Sequence, residues 1–198
     1  MSKGPSTRET LLAAASELLK QGGPHAVTLR AVGAMSGVSR TTPYRHFEDK
    51  EDLLSAVGAE NLVFIGEAMR SAANDATASD TPLERAAKGY IKAAMERPAH
   101  YLLVFGDFQF ESPSAALESA ASDCVDLLYQ LVADAQREGT VDHGDVREIA
   151  AMIWAALHGI VDLTLSGHLR EPRMVNGSDA APRLVQLLLR GLAPATRN

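Results

Sequence analysis

Apolar residues recur every three or four positions along most of this chain, which is the spacing that brings side chains to one face of an α-helix. Leu11, Leu12, Ala15, Leu18 and Leu19 form the first such stripe, opened by the capping box Ser6-Thr7-Arg8-Glu9 and ended by Gly22-Gly23-Pro24. A shorter stripe, Leu29 to Met35, has Thr28 as its cap, and Ser36-Gly37 breaks it. Ser39 is placed to cap a further helix in which Pro43 and Phe47, four apart, face inward. Asp49 then opens a long helix to about Asn74, with Leu53, Leu54, Val57, Phe64, Ile65 and Ala68 on its buried side. Beyond a polar loop, Thr81-Pro82-Leu83-Glu84 is a second capping box, and its helix runs to Arg97. Pro98 interrupts; a short apolar piece from His100 to Phe105 follows. Ser112-Pro113 starts a long helix ending near Gly139, Asp142 or Asp145 starts another to about Gly167, and a last one spans roughly Asp179 to Leu192. The pattern predicts an all-α chain of about nine helices with no strands and no repeats.

Composition adds bounds. Within 198 residues, 46% are apolar and rich in Ala and Leu, enough for one or two small helical domains with a real core. Cys124 stands alone and can form no internal disulfide, so a small filler on a helix is its expected use. No signal peptide and no apolar run long enough for a bilayer are evident, so a cytoplasmic protein with no membrane partner is expected. The net charge of −6 argues against indiscriminate coating of nucleic acid. Its distribution is polarised: through Lys50, seven bases face four acids for a local +3, and the remainder carries −9. A basic head on an acidic body suits a protein that offers one surface to DNA.

The segment 28–50 carries the most specific chemistry. If Pro43 and Phe47 face the core, Thr41, Thr42 and Arg45 point outward with Arg40 and Tyr44 at the flanks. Arginine can donate twice to guanine, threonine offers a hydroxyl and a methyl, and tyrosine reaches a phosphate. An ordinary helical hairpin with a solvated basic face is the plain alternative. The run GVSRTTPYRHFEDKEDLL, however, resembles the DNA-binding motif of the TetR family of transcriptional repressors. The resemblance rests on the turn Gly37-Val38, on Tyr44-Arg45-His46-Phe47 and on Lys50, and it covers residues 6 to about 60. Pro43 departs from an easy helix, because it removes a donor four residues in; a tightened first turn is expected there, with the helix kept. The resemblance implies a three-helix helix–turn–helix head, residues 1–50, continuing into the connecting helix 50–74. Residues 51–198 would form a body for ligand binding and dimerisation. Arg40, Thr41, Thr42 and Arg45, with Arg30 in addition, are expected to read base edges, and Thr28, Ser39, Tyr44, His46 and Lys50 to hold phosphates.

In the body, RPAHYLLVFGDF and the helix bearing Trp154, His158 and Gly159 resemble a C-terminal subclass of the family named for its Trp-His-Gly signature. Trp154 and His158 lie four apart on one face. Tyr90, Met95, Tyr101, Phe105, Phe108 and Phe110 fall nearby in sequence, a concentration of aromatics that hints at an apolar ligand cavity with a few polar handles. Plain core filling is the alternative for each of them. Apolar residues take up nearly the whole circumference of the last helix. With its predecessor it is expected to pair with a second copy of the chain through Ile160, Leu163, Leu184, Leu187 and Leu188.

The resulting expectation is a homodimeric, ligand-responsive repressor of a palindromic operator on double-stranded DNA, released by a small, largely apolar effector. The rivals are a ligand-free helical adaptor and a small enzyme built on His100, His143, His158 and His168 with Asp107, Asp142 and Asp162. No His pair has HExxH spacing, and neither a glycine-rich phosphate loop nor a nucleophile elbow is present, so neither cofactor nor metal is expected.

Overall fold

The computed structural model describes residues 4–77, 79–169 and 180–194. Among them all regular structure is helical: α1 (Thr7–Ala26), α2 (Leu29–Met35), a 3-10 helix (Pro43–Arg45), α3 (Lys50–Ala73), α4 (Pro82–Glu96), α5 (Pro98–Phe105), α6 (Ala115–Arg137), α7 (Val146–Leu165) and α8 (Ala180–Gly191). The caps explain the starts. Ser6 Oγ accepts from the Glu9 N–H at 3.2 Å while Glu9 accepts from the Ser6 N–H at 2.6 Å. Asp49 takes the Asp52 N–H at 2.9 Å, and Asp145 takes the Arg147 N–H at 2.7 Å. Inside α1, Gly22 and Gly23 leave helical angles, so the regular helix stops where the Gly-Gly-Pro pattern places its end and one further turn closes on Val27.

Two compact units emerge. The first joins Met1–Val63 to Arg97–Ser122, the second Phe64–Glu96 to Asp123–Asn198, and α3 and α6 contribute to both. This division is one of packing and does not run along the functional boundary expected at residue 50. In the first unit Leu11, Leu12, Leu19, Val27, Val32, Phe47, Leu53, Leu54 and Leu103 form one core. α5 packs on α1, and the start of α6 is tied to α3: Ser114 N–H donates to Ser55 Oγ at 2.8 Å, and Ser112 N–H to Glu51 Oε1 at 2.6 Å. In the second unit α4, α7 and α8 pack pairwise. Arg85 fastens the end of α3 there, donating to the carbonyls of Ala72 and Ala73 at 3.1 and 2.6 Å.

Three expectations need correction. The helix expected from Ser39 onward is reduced to the 3-10 helix. Pro43 has no N–H to give Ser39, so the backbone winds by short-range bonds, Thr42 N–H to Ser39 O, Arg45 N–H to Thr42 O and His46 N–H to Pro43 O. The last helix is amphipathic, not apolar all round: Val185 and Leu189 are buried, whereas Arg183 and Arg190 are exposed. Finally, α7 is long and apolar enough to cross a membrane by length and composition, which the sequence reading missed. Packing on α4 and α8 accounts for one side of it; its capping Asp145, Arg147 and Glu148 give it a polar start. The expected start of the last helix, at Asp179, lies outside the described residues.

Candidate nucleic-acid interface and effector site

The helix–turn–helix is built around two buried anchors. Pro43 is buried, and Phe47 is only 2% exposed within the core of the first unit. α2 comes close enough to Pro43 that a Cβ on Gly33 would stand 3.0 Å from its ring. Gly37 turns the chain between them at φ 67°, a left-handed angle that glycine adopts without strain. Above Phe47, the Arg8 guanidinium lies 5.3 Å from the ring centroid, tying the first turn of α1 to the end of the reading segment.

With those anchors fixed, Thr28, Arg30, Ser39, Arg40, Thr41, Tyr44, Arg45 and His46 are exposed, and Thr42 and Lys50 half-buried. Tyr44 is 59% exposed, unusual for so large a ring. Thr28 Oγ1 accepts from the Ala31 N–H at 3.1 Å, which places the exposed start of α2 beside it. Ser39 does not cap a helix as expected. Its hydroxyl instead meets Thr42 Oγ1 at 2.7 Å and Thr41 Oγ1 at 3.2 Å, so the three hydroxyls form a linked row. The surface thus offers three guanidiniums, a phenol, an imidazole and short hydroxyls on a buried base. Such a set can hold phosphates and reach base edges.

The expected effector residues fall into separate groups. In the second unit the Tyr90 hydroxyl stands 3.0 Å from His158 Nε2, and Trp154 meets the same imidazole edge-on with centroids 4.6 Å apart. Burial lowers the pKa of His158, and the Asp162 carboxylate opposes that shift. Trp154 is 47% exposed, and Met95 is half-buried on α4. In the first unit Tyr101 is fully buried with Phe105 5.1 Å away. Phe108 and Phe110 meet edge-on at 4.9 Å and pack against the core that carries the helix–turn–helix. Cys124 is half-buried, and burial pushes its thiol up, away from reactivity.

Sequence reasoning named His100 only for the enzyme reading; in the structure it is buried. Its Nε2 lies 2.5 Å from Ser16 Oγ, joining α5 to α1 in the first unit. Burial first, then the charges of Arg97 and Lys20, lowers its pKa from 6.5 to about 4. The unfolded chain therefore takes up a proton that the fold refuses. The resulting stability is whole above pH 6.5 and drains as pH falls toward 4, by up to about 3 kcal/mol. His100→Gln, which keeps a partner for Ser16, is expected to flatten this part of the pH dependence when urea unfolding is compared at pH 7 and pH 5. An unchanged slope would show that another group governs it.

A buried scaffold presenting a short basic reading surface defines a helix–turn–helix DNA-binding protein. Residues 11–57 match the family described as "Bacterial regulatory proteins, tetR family", and residues 83–192 match the "Tetracyclin repressor-like, C-terminal domain". The chain belongs to the TetR family of transcriptional regulators. It is similar to the "HTH-type transcriptional activator FasR" of Mycolicibacterium smegmatis, 27% identical over 195 residues that cover 96% of this chain and 86% of that one. A solved protein of unknown function from Rhodococcus sp. RHA1 is 26% identical, with TM-score 0.82 and coverage of 96% and 97%. The fold is shared at TM-score 0.71 with the regulator FadR from Bacillus subtilis in complex with stearoyl-CoA, at 16% identity and coverage of 93% and 96%. Family membership sets the enzyme reading aside, since these proteins are DNA-binding regulators. Among the described residues no group of three or more His, Cys, Asp or Glu is placed to hold a metal.

Proposed function

We propose that the chain is a cytoplasmic, ligand-responsive regulator that binds a palindromic operator as a homodimer. The observation that carries this reading is the exposed row Arg40, Thr41, Tyr44 and Arg45 standing on the buried pair Pro43 and Phe47. Arg40, Thr41, Thr42 and Arg45 read base edges, with Arg30 beside them; Thr28, Ser39, Tyr44, His46 and Lys50 hold phosphates. A second copy pairs through α7 and α8, where Leu163 (43%) and Leu187 (55%) are exposed, Leu184 and Leu188 half-buried and Ile160 backs them from the core. Met152, also on α7, is 46% exposed. Two-fold symmetry then requires two half-sites in inverted orientation.

The effector is a largely apolar molecule with a polar group, and a long-chain acyl thioester is the class to test first. Support comes from the aromatic groups around His158 and Tyr101 and from the fold neighbour that holds stearoyl-CoA. Effector binding acts only as far as it favours one arrangement of the paired heads over another. Repression by occupying a promoter is the primary reading. Activation is the second, favoured by the relative FasR, and transcription reconstituted in vitro separates the two by its sign.

Arg45→Ala tests the reading directly. Losing a base contact is expected to weaken the operator by about 1–3 kcal/mol while random DNA loses much less. Equal losses on both, measured by fluorescence anisotropy at one salt concentration, would reduce Arg45 to a phosphate contact.

A further inference from the structure

We infer that Asn61, on α3, is the residue that recognises the effector's carbonyl group, an inference resting on the acyl-thioester reading above. Asn61 falls in the buried stripe of its helix, four residues after Val57 and four before Ile65, and is itself 1% exposed. Among the described residues, neither its Nδ2 nor its Oδ1 has a hydrogen-bond partner. The contrast with the other buried polar side chains is instructive. Ser55 is paired with Ser114, and His100 with Ser16. Asn61 alone of these three leaves both ends of its polar group unmatched.

One turn earlier the helix is tightly covered by apolar groups. A Cβ on Gly58 would stand 3.3 Å from Val104 of α5 and 3.3 Å from Leu117 of α6. On α5 the fully buried Tyr101 lies three residues from Val104, on the same side of that helix. An amide in such a setting weakens the helix and the core alike, where leucine of similar size would serve both. Its chemistry fits a partner that arrives with an acceptor and a donor together. A thioester of coenzyme A has both: the thioester oxygen accepts from Nδ2–H, and the amide N–H two methylenes beyond the sulfur donates to Oδ1. No bond is made or broken; the contact is recognition alone.

The test compares stearoyl-CoA with S-octadecyl-CoA, a thioether lacking only the carbonyl oxygen, by calorimetric titration of the full chain. The wild-type chain is expected to prefer the thioester by about tenfold. Asn61→Leu is expected to bind both equally and to melt at a higher temperature than wild type when empty. Asn61→Ala, which creates space instead of filling it, should also lose the preference. Equal binding of the two probes by wild type, or a preference surviving in either variant, overturns the role of Asn61 and leaves the acyl reading standing. An Asn61→Leu chain that melts lower and keeps the preference identifies a purely structural amide and likewise overturns it. Failure of wild type to bind stearoyl-CoA at all overturns the acyl reading, and this inference with it.

Discussion

Phe47→Ala is expected to lower the stability of the first unit by about 3–5 kcal/mol and to abolish operator binding. The ring is 2% exposed and packs in the core formed by Leu11, Leu12, Val32, Leu53 and Leu54, so its removal leaves a cavity that close-packed neighbours fill only in part. The Arg8 guanidinium above the ring loses its partner as well, a smaller effect of about 0.5–1 kcal/mol. Functional damage should exceed the loss of stability, because Phe47 and Pro43 together fix the angle of the reading segment. The backbone bond from the Phe47 N–H to the Pro43 carbonyl, 3.0 Å, closes that segment, and no longer helix exists to hold it otherwise. Urea unfolding followed by circular dichroism gives the first quantity and operator titration the second. A loss below about 1 kcal/mol would mean that the ring is not the anchor described.

Replacing both Leu163 and Leu187 by glutamate is expected to produce a folded monomer that fails on an inverted repeat. These side chains are 43% and 55% exposed in the single chain, so charge there costs the fold little. In a dimer the same carboxylates would be buried against apolar groups and against each other, which disfavours pairing strongly. Without pairing, each half-site is bound alone, and the expected fall in affinity is on the order of a hundredfold or more. Sedimentation velocity reads the assembly state, and circular dichroism confirms that the helices persist. A double variant that still sediments as a dimer would place the interface elsewhere.

Much of the fold was legible because helix starts and stops are local events. Ser6 with Glu9, Thr28, Asp49 and Asp145 accept the backbone donors expected of them, and Gly37 takes its left-handed turn. Local signals also have limits. At Thr81 only half of the capping box forms: Thr81 accepts from the Glu84 N–H, but the Glu84 carboxylate goes to Lys88. At Pro43 the missing donor weighed more than expected, and a helix became a 3-10 turn.

What the sequence did not disclose is long-range. Nothing local says that 97–122 packs with the first sixty residues, because the contacts that show it, His100 with Ser16 and Ser114 with Ser55, join positions far apart. For the same reason the aromatics expected to line one cavity divide between the two units, with Phe108 and Phe110 on the core of the first and Trp154 beside His158 and Tyr90 in the second. Asn61 did leave a trace, its four-residue spacing from Val57 and Ile65, but a single polar residue in an apolar stripe gains meaning only once its burial is known.

The central claim is that two identical chains present their Pro43–Arg45 segments to one duplex together. Selection of bound oligonucleotides from a random pool, with the mass of the recovered complex determined, tests it most directly. Enrichment of an inverted repeat, its half-sites about one helical turn or a multiple of that apart, bound by an even number of chains, is the expected result. A pool without any enriched repeat, or a lone half-site held by a single chain, would contradict it.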